Sequence, residues 1–214
     1  MTTAASNYWS LAFDALVAFG TIAVAVLAIW GEWFRHKWAG PKLKLEPHNF
    51  RGTVTTLTIQ AGNHISQLPA IYYHLKVTNR RKWAAVRNCR VFLKQLHRRG
   101  PDGEFHSVPL VVTLQYVWAP AEWAPIEQSF ATDAVLDFGR LVKSSNVFEP
   151  TVYVTSANFQ GFVAANEAVR YTLQIVAENY REISEQIFEV AWDGNFSENL
   201  DQMRLVIKEI TKEP

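Results

Sequence analysis

The sequence IYYHLKVT, residues 71–78, contains the pattern that decides the fold class. Its apolar side chains fall at every second position: Ile71, Tyr73, Leu75 and Val77. Successive side chains of a strand point to opposite faces, so a period of two predicts a β-strand with one buried face. His74 lies on the opposite, more polar face of this predicted strand, where we expect an exposed or hydrogen-bonded histidine.

Similar short runs of β-branched and aromatic residues recur along the chain, at 54–59, 89–96, 108–118, 151–155, 171–177 and 187–192. Turn-forming residues separate them, at 79–81, 100–103, 119–120, 149–150 and 193–194. Strands do not alternate with helices, so roughly seven to nine short strands predict a mainly β domain, an antiparallel β-sandwich of immunoglobulin-like architecture. The run at 205–207 fits a last strand better than the end of a helix.

A different pattern precedes these strands. Residues 11–30 are apolar except for Asp14, and about 20 helical residues span the roughly 30 Å of a bilayer core. Aromatic side chains suited to the two lipid–water interfaces flank the segment: Tyr8, Trp9, Trp30, Trp33 and Trp38. A cleaved signal peptide needs a positive amino-terminal region, and residues 1–10 contain no Lys or Arg. The segment therefore predicts a transmembrane α-helix rather than a signal peptide or a core helix.

Basic residues follow this helix closely, among them Arg35, Lys37, Lys42 and Lys44. The positive-inside bias then places the amino terminus outside and the larger part in the cytoplasm. We predict a single-pass protein of the inner (cytoplasmic) membrane. Its four parts are a short extracytoplasmic tail (1–9), a transmembrane helix (10–33), a basic juxtamembrane linker (34–47) and a β-sandwich domain (48–214).

Asp14 is the one charged residue in the apolar segment, about one turn from its outer end. A carboxylate at that depth reaches headgroups and water at modest cost, which is the interpretation we favour. The alternative is a polar contact between the helices of a homo-oligomer.

Charge is divided unevenly between the two halves of the chain. The 214 residues carry a formal net charge of +1. Residues 35–99 contain fourteen Lys and Arg and one acid, a net of +13, whereas residues 100–214 contain seven and seventeen, a net of −10. This division predicts either a bipolar domain or strands that neutralise each other by cross-strand ion pairs.

A basic surface is the functional interpretation of the same division. The candidate residues for binding an anion or a membrane surface are Arg35, Lys37, Lys42, Lys44, Arg80, Arg81, Lys82 and Arg87. The last four surround Trp83 in what we predict to be a hairpin connection. We rank the anionic lipid surface first as partner, a small phosphorylated ligand second and nucleic acid last, because nucleic-acid readers usually carry a net positive domain.

No motif for catalysis, for a nucleotide or for a metal occurs in the sequence. The histidines are scattered, and Asp133 and Asp137 have no partner base or metal signature in the sequence. The single cysteine, Cys89, excludes a disulfide framework and is predicted to be a small core residue. We therefore expect no enzyme, no cofactor and no metal site.

Several short motifs resemble a recurring bacterial pattern: residues 73–79 (YHLKVTN), Trp83, 88–91 (NCRV), 137–139 (DFG), 174–179 (QIVAEN), Phe188 and 192–194 (WDG). The chain resembles a group of uncharacterised bacterial single-pass membrane proteins with one amino-terminal helix and a cytoplasmic β-rich domain. The resemblance covers most of the chain, and its motifs are structural in character. It implies this architecture and no activity.

Two functions follow from these observations as hypotheses. The first is a non-enzymatic, membrane-anchored interaction module that presents a β-sandwich to a protein partner or to the anionic membrane surface. The second is a ligand-gated membrane effector whose β domain senses a phosphorylated small molecule through the loop at 80–87.

Overall fold

The computed structural model describes residues 3–61, 64–121, 125–180, 182 and 185–210, and for 3–11, 32–38, 59–61 and 64 the backbone alone. The chain divides into two compact units, Met1–Gly40 and Pro41–Pro214. In the described residues the first unit is one helix, α1 (Thr3–Ala39), and the second contains twelve strands. The strands are β1 (Leu43–Ala61), β2 (His64–Asn79), β3 (Val86–Arg99), β4 (Phe105–Val108), β5 (Leu114–Gln115), β6 (Val117–Trp118), β7 (Gln128–Phe130), β8 (Asp133–Val142), β9 (Phe148–Pro150), β10 (Glu167–Val176), β11 (Glu185–Trp192) and β12 (Leu205–Ile210).

Helix α1 contains the predicted apolar segment and is longer than predicted at both ends. Its stretch Ala12–Gly31 has the length and apolar composition needed to cross a bilayer, and none of it is buried within the protein. The helix ends at Ala39 because Pro41 cannot continue the hydrogen-bond pattern and disfavours helical geometry at the residue before it. The predicted linker, 34–47, is thus divided: 34–39 continue α1, and β1 begins at Leu43.

The first sheet has the order β1-β2-β8-β6, with β9 also paired to β8, and its pairings are antiparallel. Residues 71–78 lie in β2, where the four alternating apolar residues are at most 1% exposed: Ile71, Tyr73, Leu75 and Val77. Their polar neighbours therefore form the outer face, as the period of two predicted.

The second sheet has the order β12-β11-β10-β3-β4, and β5 and β7 also pair with β3. Its long central strands are again antiparallel, and β12 confirms the predicted last strand at 205–207. The two sheets share one core of buried residues. Cys89 is fully buried in it, as predicted.

Aromatic rings join the two sheets. Phe138 of β8 has its ring centroid 5.6 Å from that of Tyr171 on β10 and 5.9 Å from that of Phe188 on β11. Its ring centroid also lies 5.8 Å from that of Tyr116 and 5.8 Å from that of Phe148. The prediction of a mainly β domain with antiparallel sheets is confirmed.

The pairing of β2 with β8 contains an irregularity that positions a pair of polar side chains. Tyr73 lies opposite Gly139 and His74 lies opposite Asp137, so Phe138 is an extra residue on β8. A Cβ atom at Gly139 would lie 2.2 Å from the ring of Phe148, so only glycine fits there. The bulge lets Phe138 enter the core while Asp137 stays beside His74.

The predicted hairpin at 79–87 is wrong. Strand β2 belongs to the first sheet and β3 to the second, so the loop between Asn79 and Val86 crosses from one sheet to the other. Pairing partners are separated widely in sequence, because β2 pairs with β8 and β3 pairs with β10.

Ion pairs between the two halves account for part of the charge division. Among the described residues, five basic residues of the first half contact acidic residues of the second: Lys44 with Glu209, Arg51 with Asp201, Lys76 with Asp133, Arg90 with Glu127 and Arg98 with Glu167. Most of these groups are partly exposed, so each pair contributes little, about 0–1 kcal/mol. Taken together, these ion pairs favour the interpretation that basic and acidic segments neutralise each other over that of a bipolar domain.

Candidate functional site

Asn79, the last residue of β2, fixes the loop that carries the predicted basic cluster. It is 1% exposed, and its Nδ2 donates hydrogen bonds to the carbonyls of Ala84 (2.7 Å) and Ala131 (3.0 Å). Its Oδ1 accepts from the backbone N–H groups of Lys42 (3.2 Å) and Arg81 (3.1 Å). A single buried amide therefore connects the start of β1, this loop and the segment before β8.

Hydrogen bonds at both ends also fix the basic loop, residues 80–87, to the rest of the β-rich unit. The backbone N–H of Arg80 donates to the carbonyl of Lys42 (2.8 Å), and that of Ala84 donates to the carbonyl of Arg81 (2.9 Å). At its other end Asn179 accepts from the N–H of Arg87 (3.1 Å) and donates to the carbonyl of Ala85 (2.8 Å). The loop is thus an ordered platform.

The side chains of the basic loop differ in their partners. Arg80 lies 3.7 Å from Glu46, whose charge neutralises it. The guanidinium of Arg81 lies 5.7 Å from the ring centroid of Trp83, within the range of a cation–π contact, and Trp83 is 68% exposed. Lys82 and Arg87 are exposed and, in the part of the chain that the structure describes, have no carboxylate within ion-pairing distance.

The structure brings only part of the predicted surface together. Lys42 is hydrogen-bonded to the basic loop through its backbone, whereas Lys44 lies 3.8 Å from Glu209 on β12. Trp30 is 56% exposed on α1. The other predicted residues belong to α1, and the structure describes only their backbone: Arg35, Lys37, Tyr8, Trp9, Trp33 and Trp38.

A second polar site lies on the outer face of the first sheet, where the sequence predicted none. The Nε2 atom of His74 is 3.0 Å from the Oδ1 atom of Asp137, and the Asp137 side chain is only 3% exposed. The backbone N–H of Ala121 donates to Oδ2 of Asp137 (2.9 Å), so residues 119–121 cover this carboxylate. The expectation that Asp137 has no partner base is therefore wrong.

A cleft of about 530 Å³ opens beside this pair, and we call it the threonine cleft. Its polar lining comes from Thr53, Thr55, Thr56, Thr58, Tyr72, His74 and Asp137. The rings of Tyr72 and His74 are stacked, with centroids 6.5 Å apart and planes at 24°. The ring of His48 approaches His74 edge-on, at 6.4 Å.

One more cleft, of about 520 Å³, lies on the other side of residue 121 and is lined by Arg140 and Glu149. Arg140 lies 3.3 Å from Glu149 and donates to the hydroxyl of Tyr72 (3.4 Å). Burial alone would lower the pKa of Arg140, but Tyr72 and Glu149 outweigh it and hold that pKa above the usual value. The guanidinium of Arg140 is therefore already occupied by its contacts with Tyr72 and Glu149.

Sequence reasoning missed the pair of His74 and Asp137 because the two residues lie on strands far apart in the chain. The phase of the alternation did place His74 on the outer face. Nothing in one sequence says which strand lies beside β2. Because Phe138 is an extra residue on β8, the alternation along that strand does not show from the sequence that Asp137 faces outward.

No cluster of three or more His, Cys, Asp or Glu side chains suited to a metal ion occurs among the described residues. Comparison with known proteins assigns no function to either site. No protein-family model matches the chain, and no curated protein matches it significantly. The predicted kinship with bacterial single-pass membrane proteins stays a prediction.

Proposed function

We propose that the chain is a membrane-anchored, non-enzymatic interaction module whose β-rich unit faces the cytoplasm at the inner membrane. In this proposal α1 spans the bilayer with its amino terminus outside. Its 20-residue apolar stretch Ala12–Gly31 is unburied, and a helix that is apolar on all sides needs an apolar environment. Lipid provides that environment.

The observation that carries the proposal is the attachment of the basic loop to Lys42. Lys42 follows Ala39, the last residue of α1, by three positions, so the covalent chain keeps the two within about 11 Å. The carbonyl of Lys42 in turn accepts the N–H of Arg80. An anchor in the bilayer would therefore hold the start of the basic loop near the lipid surface.

The side chains of the loop suit that surface. Each Lys or Arg near an anionic cytoplasmic leaflet contributes about 1 kcal/mol, and this attraction is screened by salt. The cations without carboxylate partners among the described residues, Lys82 and Arg87, are the ones we expect to contribute. Trp83 adds an exposed ring of the type that the interface favours.

A fluorescent label on the loop tests this proposal in the full chain. Ala85→Cys places a thiol at an exposed position and leaves Trp83 and the cations unchanged. Burial raises the pKa of the native Cys89 thiol to about 12, so that buried thiol stays protonated and does not compete for the label. In lipid nanodiscs we expect the label to report a more apolar environment with phosphatidylserine than with phosphatidylcholine alone.

Two double variants, each of which removes two positive charges, distinguish a specific effect of the loop from an effect of overall positive charge. Lys82→Gln with Arg87→Gln should abolish the dependence on phosphatidylserine. Lys94→Gln with Arg99→Gln, two exposed cations of β3, should preserve it. An identical label spectrum in both lipid compositions, or equal loss in both variants, would contradict the proposal.

The second candidate is the ligand-gated effector, in which the loop binds a phosphorylated small molecule. Exposed Lys82 and Arg87, in the same loop as Trp83, favour it, since phosphate needs cations that no carboxylate already occupies. Nucleoside and sugar phosphates added to nanodiscs of neutral lipid should then change the label signal and the association of chains. A response to lipid charge without a response to phosphates rejects this candidate.

Sidedness and architecture complete the proposal. Protease added outside sealed cells should leave the β-rich unit intact, and digestion of that unit would overturn the orientation. The two sheets fit an immunoglobulin-like sandwich in the broad sense of two antiparallel layers over a shared core. Partners we propose are membrane lipids, a protein that docks on the β-rich unit and a second copy of the chain, with nucleic acid ranked last.

A further inference from the structure

The starting point is the buried carboxylate of Asp137. Its Oδ2 accepts the N–H of Ala121, but its Oδ1 has no aligned hydrogen-bond donor among the described residues. His74 Nε2 is 3.0 Å from Oδ1, although this contact lacks hydrogen-bond alignment. A buried oxygen without a donor is costly, so this atom is suited to accept a hydrogen bond from a bound molecule.

The lining of the threonine cleft limits the kind of molecule. Four threonines of β1 and the hydroxyl of Tyr72 can donate or accept hydrogen bonds, and the stacked rings of Tyr72 and His74 add an apolar face. No Lys or Arg occurs among the described residues that line the cleft. Phosphate and carboxylate groups would therefore lack a cationic partner there.

The charged groups around the cleft are already paired. Of the cations on the same outer face, Lys76 lies 3.5 Å from Asp133 and Arg140 lies 3.3 Å from Glu149, so each is already neutralised. Asp137 itself contacts His74. The cleft thus offers hydrogen bonds in both directions, and Asp137 is the one carboxylate among its described lining residues.

We propose that the threonine cleft is a binding site for a small, neutral, hydroxyl-rich molecule of the size of a mono- or disaccharide. The threonine hydroxyls of β1 contact one edge of the ligand, and Oδ1 of Asp137, which is buried beside Nε2 of His74, accepts a ligand hydroxyl once the imidazole ring turns aside. A volume of about 530 Å³ lies within the range of small-molecule sites, about 300–1,000 Å³. This site is separate from the basic loop and does not depend on the function proposed for it.

The test uses the full chain in phospholipid nanodiscs prepared without glycoside detergents, which would compete for the site. Saturation-transfer NMR is recorded with glucose, galactose, mannose, ribose, glycerol and the disaccharides maltose and sucrose, and the best binder is titrated. We expect Asp137→Asn to weaken binding by at least about tenfold, since it replaces a charged acceptor by a neutral amide. Thr55→Val keeps the shape of an exposed residue, removes one hydroxyl and should also weaken binding.

Asp133→Asn on the same strand is the matched control, because Asp133 contacts Lys76 and does not line the cleft. It should leave binding unchanged. Loss with Thr55→Val supports the site even where Asp137→Asn unfolds the chain. No saturation transfer from any of these compounds would overturn the proposal, as would equal effects of the three variants. Tighter binding of glucose 6-phosphate or of glucosamine than of glucose would overturn the neutral ligand class.

Discussion

At the scale of single residues, Asn79 has the clearest structural role. It is buried and makes four side-chain hydrogen bonds that connect three segments. We expect Asn79→Ala to lower the free energy of unfolding of the β-rich unit by about 2–3 kcal/mol, since buried partners lose their bonds. Thermal unfolding followed by circular dichroism measures this. Asn79→Asp keeps the acceptors but turns a buried carboxylate oxygen toward the carbonyls of Ala84 and Ala131, so its loss should be at least as large as that of alanine. An unchanged melting temperature in either variant would contradict the account.

Glu189 gives a dependence on pH. Burial alone would raise its pKa, but hydrogen bonds from Lys208 and Arg170 outweigh burial and hold the pKa below the usual value. A lowered pKa stabilises the folded state above the unfolded pKa of about 4.3, and this contribution is lost as pH falls through the folded value. Glu189→Gln should therefore lower the melting temperature at neutral pH, and the difference from the native chain should shrink in acid.

The control for that variant is Glu198→Gln. Glu198 forms an exposed pair with Lys143, and such pairs contribute little. The melting temperatures of the native chain, Glu189→Gln and Glu198→Gln, measured between pH 7 and about pH 3, test this prediction. A difference between Glu189→Gln and the native chain that grows in acid would reverse the sign and refute the assignment.

At the scale of elements, β8 connects the core to the threonine cleft. Phe138 contacts aromatic rings of both sheets, and its neighbour Asp137 lies on the outer face. We expect Phe138→Ala to cost about 3–5 kcal/mol of stability, because a large side chain leaves a cavity at the junction of the sheets. Tyr153→Ala, at a side chain 61% exposed, should cost less than about 0.5 kcal/mol. Urea unfolding compares the two, and similar losses would contradict the central position of Phe138.

The sequence predicted elements better than their partners. The alternation in 71–78 located β2, and the run at 89–96 located β3, because period two is a local property. The hairpin between them was wrong, because a loop of this length can equally cross between sheets. The pair of His74 and Asp137 depends on strand order and on a bulge, and both are set by packing across the whole domain. The basic loop was predictable as a cluster, but its attachment to Lys42 was not.

At the scale of the whole molecule, the buried core residues that the structure describes all belong to the second unit. They run from Leu43 to Ile207, and Ala12–Gly31 contributes none of them. A chain that begins at Pro41 should therefore fold with an unchanged β-sheet spectrum and unfold in one cooperative transition. Circular dichroism and two-dimensional NMR test this. Loss of the β-sheet signal would mean that the first 40 residues are needed for folding.

The pairing of basic and acidic halves has a consequence for synthesis. The ribosome releases residues 35–99 before the carboxylates that neutralise them, so the emerging chain is for a time a polycation. Strands β2 and β3, which lie in this basic segment, pair with β8 and β10, and both of those partners are synthesised later. Folding must follow translation of nearly the whole chain, and during that delay the nascent basic segment is exposed to every polyanion around it.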